Sequence, residues 1–456
     1  MEESQEWRQY VIACIAAFSV FVSCYGMGWT APIIIKLGNP EESPLPEPIT
    51  IDEEAWIGSL VTIGAMFGPF ISGFVTSKLG RKWALVCLSL PMLVSWSLIA
   101  VATSLPMIYA ARILGGFYVG MSFTVGPLYL GEIATNKVRG AVNCFLGVGM
   151  NLGFLLVYCI GPFVSYAVVA YVGIVLAGVY FVLALFAPES PYYYLAKDDI
   201  ESAGLALMKL RGKSREAVQS ELNKLDIEVK ESIKNTAKFS DVFRGNNVVA
   251  LLLACGLMMA QQLSGINALQ FYMTNIFEAA GTELDSAIST IIIGSVQTVV
   301  SVGTPLIIDR LGRRPLLLMS TAAMTVSHSF LGMYFHFEET GNPVAANIGF
   351  LPLLCLMIVM IAHVLGLGPI PMIFAAEILP AEIRSAAMSV AISYLWICTF
   401  LVTRFFGPIA AAVGMGVSFW IFSGCCFLSF TYIWFLIPET KGRSLHEIQG
   451  ILTTKF

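Results

Sequence analysis

The chain has 456 residues, of which 57% are hydrophobic and only 12% carry a charged side chain, and its mean hydropathy is +0.77. Soluble domains usually contain about 25% charged residues, so this composition excludes an ordinary soluble protein and indicates a polytopic membrane protein. The net charge is −4, and its distribution along the chain is more informative than the sum.

Twelve apolar windows are long enough to cross the bilayer, since a helical crossing needs roughly 20 apolar residues. They lie at about 10–35, 55–77, 83–103, 107–131, 140–162, 166–187, 248–277, 286–308, 315–336, 348–376, 385–412 and 415–437. We therefore predict an all-α membrane protein of twelve transmembrane helices. Its predicted parts are a first six-helix bundle (1–187), a cytoplasmic helical linker (188–246), a second six-helix bundle (247–437) and a tail (438–456).

Lysine and arginine are concentrated in alternate connections, such as Arg81-Lys82 after the second window and Arg313-Arg314 after the eighth. The intervening connections are acidic, as at Asp52-Glu53-Glu54. The positive-inside rule then places both termini and the linker in the cytoplasm. We expect a multi-pass protein of the plasma membrane.

The linker contains an apolar repeat at helical spacing, formed by Val218, Leu222, Leu225, Val229 and Ile233. This pattern predicts an amphipathic helix lying against the cytoplasmic ends of the bundle. Calmodulin or lipid binding is an alternative, but the mixed charges between the apolar positions favour a structural brace.

Three short motifs occur once in each half of the chain and in the same order. The paired segments are Leu79 to Lys82 with Leu311 to Arg314, Glu132 and Arg139 with Glu377 and Arg384, and Pro188-Glu189-Ser190 with Pro438-Glu439-Thr440. The separation within each pair changes only slowly along the chain, which indicates an internal duplication of six spans. Many secondary transporters are built from such repeats and bind substrate between the halves near the bilayer midplane.

The seventh window contains a polar stretch where the bilayer centre should be. Gln261, Gln262, Ser264 and Asn267 surround Gly265, a residue that weakens a helix. Hydrocarbon offers these groups no hydrogen-bond partner, so they should face protein or a water-filled cavity. Uncharged donors and acceptors suit a neutral, hydroxyl-rich ligand. Contacts between helices through the amides are the alternative interpretation.

The tenth window contains Gly366, Gly368, Pro369 and Pro371 within six positions. Proline removes a backbone donor and clashes with the preceding turn, so we predict a broken or bendable helix there. A static kink is the alternative to a moving one. His363 in the same window is interpreted as a hydrogen-bonded core histidine.

Motif residues extend along nearly the whole chain. In order they are Gly73, Gly80 to Lys82, Arg112, Gly116, Pro127, Tyr129, Glu132, Arg139-Gly140, Pro188 to Pro191, Gln261 to Asn267, Asp309-Arg310, Gly312 to Arg314, Gly368 to Pro371, Glu377, Arg384 and Pro438 to Arg443. With these motifs the chain resembles the sugar porters of the major facilitator superfamily, the group that includes the facilitative glucose transporters. Trp29 to Pro32 and Ala55 to Ser59 look most like its trehalose-transporter branch.

The resemblance implies roles for individual residues. It implies sugar binding by Gln261, Gln262 and Asn267, and a position for Trp396 beside the sugar. It also implies an outer gate at Tyr272, for which plain packing is the alternative. A gating helix is implied at Gly368, Pro369 and Pro371.

Four positions depart from a glucose-type pocket. Tyr158 stands where glucose carriers place glutamine, Gln297 and Thr399 stand where they have asparagine, and Met372 stands where the family often has tryptophan. We include Tyr158, Gln297 and Thr399 among the predicted substrate-binding residues. The pocket is therefore predicted to be related to a glucose pocket without being the same.

Charged residues at the predicted cytoplasmic helix ends form a second group. They are Arg81, Glu132, Arg139, Glu189, Arg313, Arg314, Glu377, Arg384 and Glu439. The resemblance implies a latch that closes the inner ends of both halves in the outward-facing state, and charges that only set the topology are the alternative. Ser77 replaces the acid that Asp309 keeps in the second half, so the first loop is expected to be held more weakly.

Two arginines fall inside predicted spans. Arg112 matches a family arginine and is expected to be paired within the first bundle. Arg404 has no family role that the resemblance supplies. Its side chain is predicted either to reach the outer headgroups or to line the substrate path.

The resemblance also bears on energy coupling. Proton-coupled sugar porters carry an acid in the first span, where this chain has Gly26, and no Asp, Glu or His occurs from Val11 to Ile35. The chain is therefore predicted to be a uniporter of a neutral sugar, a hexose or trehalose. A proton–sugar symporter, with His363 as the other titratable candidate, and a non-transporting sugar sensor are the alternatives.

The remaining expectations concern activity and partners. We find no nucleophile–base set, metal cluster or phosphate loop, so an enzyme is disfavoured and no cofactor or metal is expected. The expected partners are the sugar and the lipid bilayer, without nucleic acid, and the functional unit is expected to be a monomer.

Overall fold

The computed structural model of the protein describes residues 6–135, 138–234, 239–281, 284–380 and 382–443, together with Glu447 and Gly450. His446 lies outside the described residues. So does the side chain of Arg139, and with it the predicted role of this arginine in the latch.

The first half is a bundle of six crossings, of which the first consists of two helices in direct succession, with Trp29 between them in a helical conformation. The helices are α1 (Trp7–Gly28), α2 (Thr30–Gly38), α3 (Ile51–Leu79), α4 (Arg81–Ala100), α5 (Leu105–Ile133), α6 (Arg139–Ile160) and α7 (Tyr166–Phe186).

Three short helices and a 3-10 turn form the linker: α8 (Pro191–Leu195), α9 (Ile200–Arg211), α10 (Arg215–Lys234) and Phe239–Phe243. The predicted amphipathic helix is α10, and its Val218, Leu222 and Val229 are buried. The prediction was wrong for Ile233, whose side chain is 55% exposed, because the apolar surface of α8 and α9 does not reach the last turn of α10.

Arg211 at the end of α9 joins the linker to the bundle. Its Nη1 donates to the carbonyl of Ile133 at the end of α5 (2.7 Å), and its Nη2 pairs with Glu221 of α10 (2.7 Å). Thus α10 packs on α8 and α9, and α9 connects this small unit to the membrane helices.

The second half repeats the arrangement, with its first and fourth crossings broken. The helices are α11 (Asn246–Leu263), α12 (Ile266–Ala280), α13 (Ser286–Leu311), α14 (Arg313–Glu339), α15 (Val344–Asn347), α16 (Leu351–Leu365), α17 (Ile370–Ile378), α18 (Arg384–Val413) and α19 (Met415–Leu436).

The twelve predicted crossings are confirmed. Among the described residues, eleven helical segments are long and apolar enough to cross a bilayer, and the apolar part of α6, Cys144–Ile160, is a shorter twelfth. Capping groups extend some helices beyond their apolar windows. Thr50 and Glu53 form a reciprocal capping box that starts α3 at Ile51, because the two side chains satisfy backbone donors that the first turn leaves free.

Helices α3 and α5 approach at backbone distance through glycines. A Cβ added at Gly64 would lie 2.1 Å from the carbonyl oxygen of Ile113, and one at Gly116 would lie 2.1 Å from that of Val61. Small residues allow close helix packing in a bilayer, where association depends on van der Waals contact. Both glycines are therefore required by the packing of the first half.

We expect Gly64→Ala to destabilise the protein by about 2 kcal/mol, because the added methyl group pushes two backbones apart. The measurement is thermal unfolding of the purified protein. Gly73→Ala on the same helix is the matched control, since its Cβ would meet nothing within 4 Å. Equal stability of the two variants would contradict this account of the α3–α5 contact.

The two halves are joined by two helix pairs, α3 with α18 and α6 with α13. The backbone carbonyl of Met66 in α3 accepts from Ser393 Oγ in α18 (3.0 Å), and α6 packs on α13 where Gly294 faces Leu155 and Tyr158. The outer part of the broken seventh crossing, α12, also contacts α1 and α2 of the first half.

Candidate functional site

The polar stretch of the seventh span breaks the helix. Helix α11 ends at Leu263 and α12 begins at Ile266. Gly265 between them has φ +81°, a left-handed conformation that other residues adopt only with strain. A Cβ at Gly265 would also lie 2.7 Å from the ring of Phe422. The break places a non-helical turn and several polar side chains at mid-span.

The amides around this break form a small network. Gln262 Oε1 accepts a short hydrogen bond from Asn267 Nδ2, and both side chains are buried. Ser264 Oγ donates to the carbonyl of Gln261 (2.6 Å), so this hydroxyl is hydrogen-bonded within its own turn. The network orients the amide of Gln262 by fixing its oxygen.

The break in the tenth span faces the one in the seventh. Helix α16 ends at Leu365 and α17 begins at Ile370, which confirms the predicted break over Gly366 to Pro369. The carbonyl of Gly368 accepts from Gln261 Nε2 (2.9 Å). The other end of this amide, Gln261 Oε1, is buried without a hydrogen-bond partner among the described residues.

Trp396 and Thr399 lie on α18, one turn apart. The Trp396 ring packs edge-on against Phe123 of the first half (6.0 Å between centroids), and its Nε1 is buried without a partner among the described residues. Thr399 Oγ1 donates to the carbonyl of Leu395 within its own helix (2.8 Å). Trp396 therefore offers a free donor, whereas Thr399 is internally bonded.

Two other predicted pocket residues are engaged by protein groups. Tyr158 Oη donates across the two halves to the carbonyl of Gln270 (2.8 Å). Gln297 Nε2 lies 3.1 Å from Met360 Sδ. Tyr158 thus contributes to the contact between α6 and α12, and Gln297 packs inside the second half.

Tyr272 lies at a second irregularity of α12, where its φ of −117° and ψ of 18° interrupt the helix. Its ring lies 5.6 Å from that of Phe406. Its hydroxyl approaches Gly58 of α3, where an added Cβ would lie 3.1 Å away. The tyrosine therefore fills the space between the outer parts of the two halves.

The structure corrects the prediction that Arg404 reaches the lipid headgroups. Arg404 Nη2 pairs with Asp52 Oδ1 of the first half (2.5 Å). Its guanidinium carbon stacks 4.6 Å from the ring centre of Trp56, and Trp56 contacts Phe400. The cation is neutralised across the two halves instead of extending to lipid.

An ion-pair cluster lies at the basic end of the first half. Arg81 Nη2 pairs with Glu132 Oε1 (2.6 Å), and Glu132 Oε2 accepts a short hydrogen bond from Ser190. Glu189 accepts from the backbone N–H groups of Arg81 (2.7 Å) and Lys82 at the start of α4. Burial raises the pKa of Glu189, while these backbone donors act in the opposite direction.

The second half reproduces this cluster contact by contact. Arg313 Nη2 pairs with Glu377 (2.9 Å), whose other oxygen accepts from Thr440 (2.5 Å). Glu439 accepts from the backbone N–H groups of Arg313 and Arg314, each at 3.0 Å. The carboxylate at the end of the last span in each half thus caps the start of α4 or α14.

Among the described residues the ion pairs of both clusters stay within one half. Arg384 donates to the carbonyl of Leu379 and not to a carboxylate. Asp309 lies 3.9 Å from Arg313, whereas Ser77 donates to its own helix at Phe74. The latch across the halves remains a prediction.

Arg112 was expected to be paired within the first bundle. Among the described residues it has no carboxylate partner. Its Nη1 donates to the carbonyl of Gly26 (2.7 Å) and its Nε to that of Ile57 (2.9 Å). Its guanidinium carbon lies 5.4 Å from the ring centre of Trp29. Backbone dipoles and an aromatic face hold this buried cation between α1, α3 and α5.

Sequence reasoning missed the partners of Arg404. Asp52 was assigned only to an acidic connection, and Trp56 only to a motif. The predicted topology puts the acidic connection that contains Asp52 and the outer half of the span that contains Arg404 on the same side of the membrane. This shared position could have indicated the ion pair. Phe123, beside Trp396, had no comparable signal.

The comparison with known families gives a match to the one described as "Sugar (and other) transporter" over residues 12–452. A facilitated trehalose transporter, Tret1 of Polypedilum vanderplanki, is 36% identical over 446 residues, which cover 97% of this chain and 88% of the relative. The protein of the same name from Bombyx mori is 34% identical over 445 residues, covering 96% and 86%.

Solved structures have the same fold. The proton:xylose symporter XylE bound to 6-bromo-6-deoxy-D-glucose superposes with a TM-score of 0.79 at 22% identity, covering 98% of this chain and 99% of that one. The inward-open conformation of the xylose transporter XylE from E. coli gives 0.80 at 22% identity, covering 97% and 99%. At this identity the likeness establishes the twelve-helix major facilitator fold.

Proposed function

Since the chain belongs to the sugar transporter family and has the major facilitator fold, we propose that it is a facilitative uniporter of a neutral sugar that works by alternating access. The family is one of transporters, so the interpretation as a membrane transporter of sugars and not an enzyme is confirmed. Uniport and the identity of the sugar are our proposals.

One observation carries the proposed site. Gln261 Oε1 and Trp396 Nε1 are buried in the second half, one an acceptor and the other a donor, and neither has a protein partner among the described residues. Buried polar groups are normally hydrogen-bonded, and leaving one unpaired costs about 1–3 kcal/mol. Sugar hydroxyls both donate and accept, so they would satisfy both groups. The oriented amides of Gln262 and Asn267 extend this surface.

The substrate we propose is a hexose or trehalose. The two insect relatives named above are facilitated trehalose transporters, which favours the disaccharide. Tyr158 and Thr399 are occupied by protein contacts, so they would shape the pocket more than they bind hydroxyls.

Uniport is favoured by the first span. It contains no acid or histidine from Val11 to Ile35, so it supplies no proton site whose affinity could change with conformation. The alternative is proton symport, and XylE, which is named a proton:xylose symporter, has the same fold. His363 is buried beside the break in the tenth span, and its Nδ1 has no hydrogen-bond partner among the described residues, so the expected hydrogen-bonded core histidine is not what the structure has. It is the residue that this alternative would use.

We assign the structure to an inward-facing state. The hydrogen bonds between the halves join Asp52 with Arg404, Tyr158 with Gln270, and Met66 with Ser393. By the predicted topology the first two lie in the outer part of the membrane. The inner charge clusters would meet across the halves only in the outward-facing state, which is the latch we propose.

We further propose that the protein acts as a monomer in the plasma membrane with both termini in the cytoplasm. The basic connections that contain Arg81 and Arg313 lie at one end of the molecule, and this asymmetry supports the orientation.

The test is radiolabelled uptake by cells that lack sugar transporters, with glucose, fructose and trehalose compared at two external pH values. We expect saturable uptake of at least one sugar, with no dependence on the proton gradient. Uptake that rises with external acidity and falls with an uncoupler would favour the symporter, and no uptake of any of the three would contradict the proposed substrate class.

A further inference from the structure

A second polar site lies inside the first half, apart from the break in α11–α12. It is a small cavity with room for about one water-sized occupant. Arg112, Trp96, Ser95 and Gly26 line it, together with apolar side chains such as Val61 and Met92. The cavity therefore lies where α1, α3, α4 and α5 meet.

The charge of Arg112 is not neutralised in the described part of the chain. The side chain is 3% exposed, and no described carboxylate forms an ion pair with it. Burying an unpaired charge costs several kcal/mol even after relaxation. Charged residues inside the membrane are rare and usually paired. The two carbonyls and the Trp29 ring reduce this cost but supply no negative charge.

Two of the lining residues have buried N–H donors without a partner in the described part of the chain. Arg112 Nη2 and Trp96 Nε1 are buried without partners among the described residues, and both residues line the cavity. The hydroxyl of Ser95 donates to the carbonyl of Ala111 (2.7 Å), so its proton is not available to an occupant of the cavity. The indole nitrogen of Trp29, beside Arg112, is also unpartnered in the described structure. The lining is thus mostly apolar, with one positive charge and two N–H donors that are unpaired among the described residues.

We propose that this cavity binds one monatomic monovalent anion of chloride type, held by Arg112 Nη2 and Trp96 Nε1. A positive charge with unpaired N–H donors matches an anion, and charge-assisted hydrogen bonds are about twice as strong as neutral ones. The cavity has room for one small ion and not for a phosphate or for a free organic acid with its own carbon chain. The bound anion neutralises the guanidinium that joins the carbonyl of Gly26 in α1 to that of Ile57 in α3, and so stabilises the first half.

The first test is thermal unfolding of the purified full-length protein in chloride and in gluconate at equal ionic strength. We expect unfolding about 2–4 °C higher in chloride, because a ligand that binds only the folded state stabilises it. The Arg404→Gln variant must retain this chloride response, since Arg404 lies outside the cavity. Equal unfolding temperatures in the two salts would overturn the proposal.

Substitution of Gly26 provides a sharper test. Its added Cβ would lie 2.9 Å from Met92 Cε, the movable end of a flexible side chain, so an aspartate can be accommodated. Gly26→Asp should remove the chloride response and unfold at a higher temperature than the wild type in gluconate, because its carboxylate replaces the anion. Gly26→Asn, of the same size without the charge, should not gain this stability. Equal gains in both variants would mean that the cavity requires only a neutral occupant, and would overturn the proposal.

A spectroscopic measurement keeps the proposal testable if neither Gly26 variant folds. Bromide substituted for chloride should quench the part of the tryptophan emission that Trp96→Phe removes, since a heavy anion would lie against that indole. Bromide quenching that is the same in the wild type and in Trp96→Phe would place the anion elsewhere and contradict the site.

Discussion

Gln262→Ala should reduce sugar uptake roughly 10- to 100-fold, because it removes a proposed substrate contact and leaves Asn267 Nδ2 without its acceptor. Each hydrogen bond lost in a buried site costs about 1–3 kcal/mol, and every 1.4 kcal/mol is tenfold. The expected loss is in the apparent affinity as well as in the maximal rate. The measurement is initial uptake of labelled sugar, normalised to the amount of transporter at the cell surface.

Ser264→Ala is the matched control for this prediction. Gln262 and Ser264 lie in the same turn, and the Ser264 hydroxyl donates to the carbonyl of Gln261 within that turn. Its removal should therefore leave uptake within about twofold of the wild type, since internal hydrogen bonds of this kind contribute little. Normal uptake by Gln262→Ala would exclude this residue from the binding site.

Asp52→Arg should open the outer contact between the halves. Two arginines would then face each other where Arg404 Nη2 and Asp52 Oδ1 now lie 2.5 Å apart. Like charges in contact repel, but Asp52 is well exposed, so solvent screens the effect. We expect a cost of about 2 kcal/mol, which shifts the equilibrium away from the inward-facing state about 30-fold.

Distances between spin-label amino acids at positions 41 and 346 measure this shift, because both positions are exposed in outer connections of different halves. The Asp52→Arg variant should lengthen the distance and slow uptake. The charge swap Asp52→Arg with Arg404→Asp should restore most of the original distance, although the stacking of Arg404 on Trp56 is lost. If Asp52→Arg alone keeps the wild-type distance, the ion pair between Asp52 and Arg404 does not hold the outer end closed.

The sequence was sufficient to locate the crossings because apolar length alone specifies them. The second window was placed at 55–77 and the helix spans Ile51–Leu79, since the capping box at Thr50 adds a polar first turn that hydropathy does not count. The break in the tenth span was predictable from its prolines. The first crossing has no comparable break, since Trp29 between α1 and α2 keeps helical backbone angles (φ −52°, ψ −32°).

Tertiary contacts limited what could be predicted of the site. The polar character of Gln261 to Asn267 predicts that the stretch avoids lipid, and the structure adds that Gln262 is oriented by Asn267 and Gln261 by Gly368. The partners of Tyr158 and Arg404 lie across the two halves, more than 100 residues away in the chain. Local pattern contains no information about such pairs, so their roles follow from the structure alone.

The most direct test of alternating-access uniport is sugar equilibration in proteoliposomes that contain the purified protein. With an inward proton gradient imposed, labelled sugar should enter until its internal concentration equals the external one, and unlabelled sugar loaded inside should accelerate the entry. Gln262→Ala proteoliposomes should show little entry above protein-free vesicles. Accumulation above the external concentration that collapses with an uncoupler would contradict uniport and establish proton coupling instead.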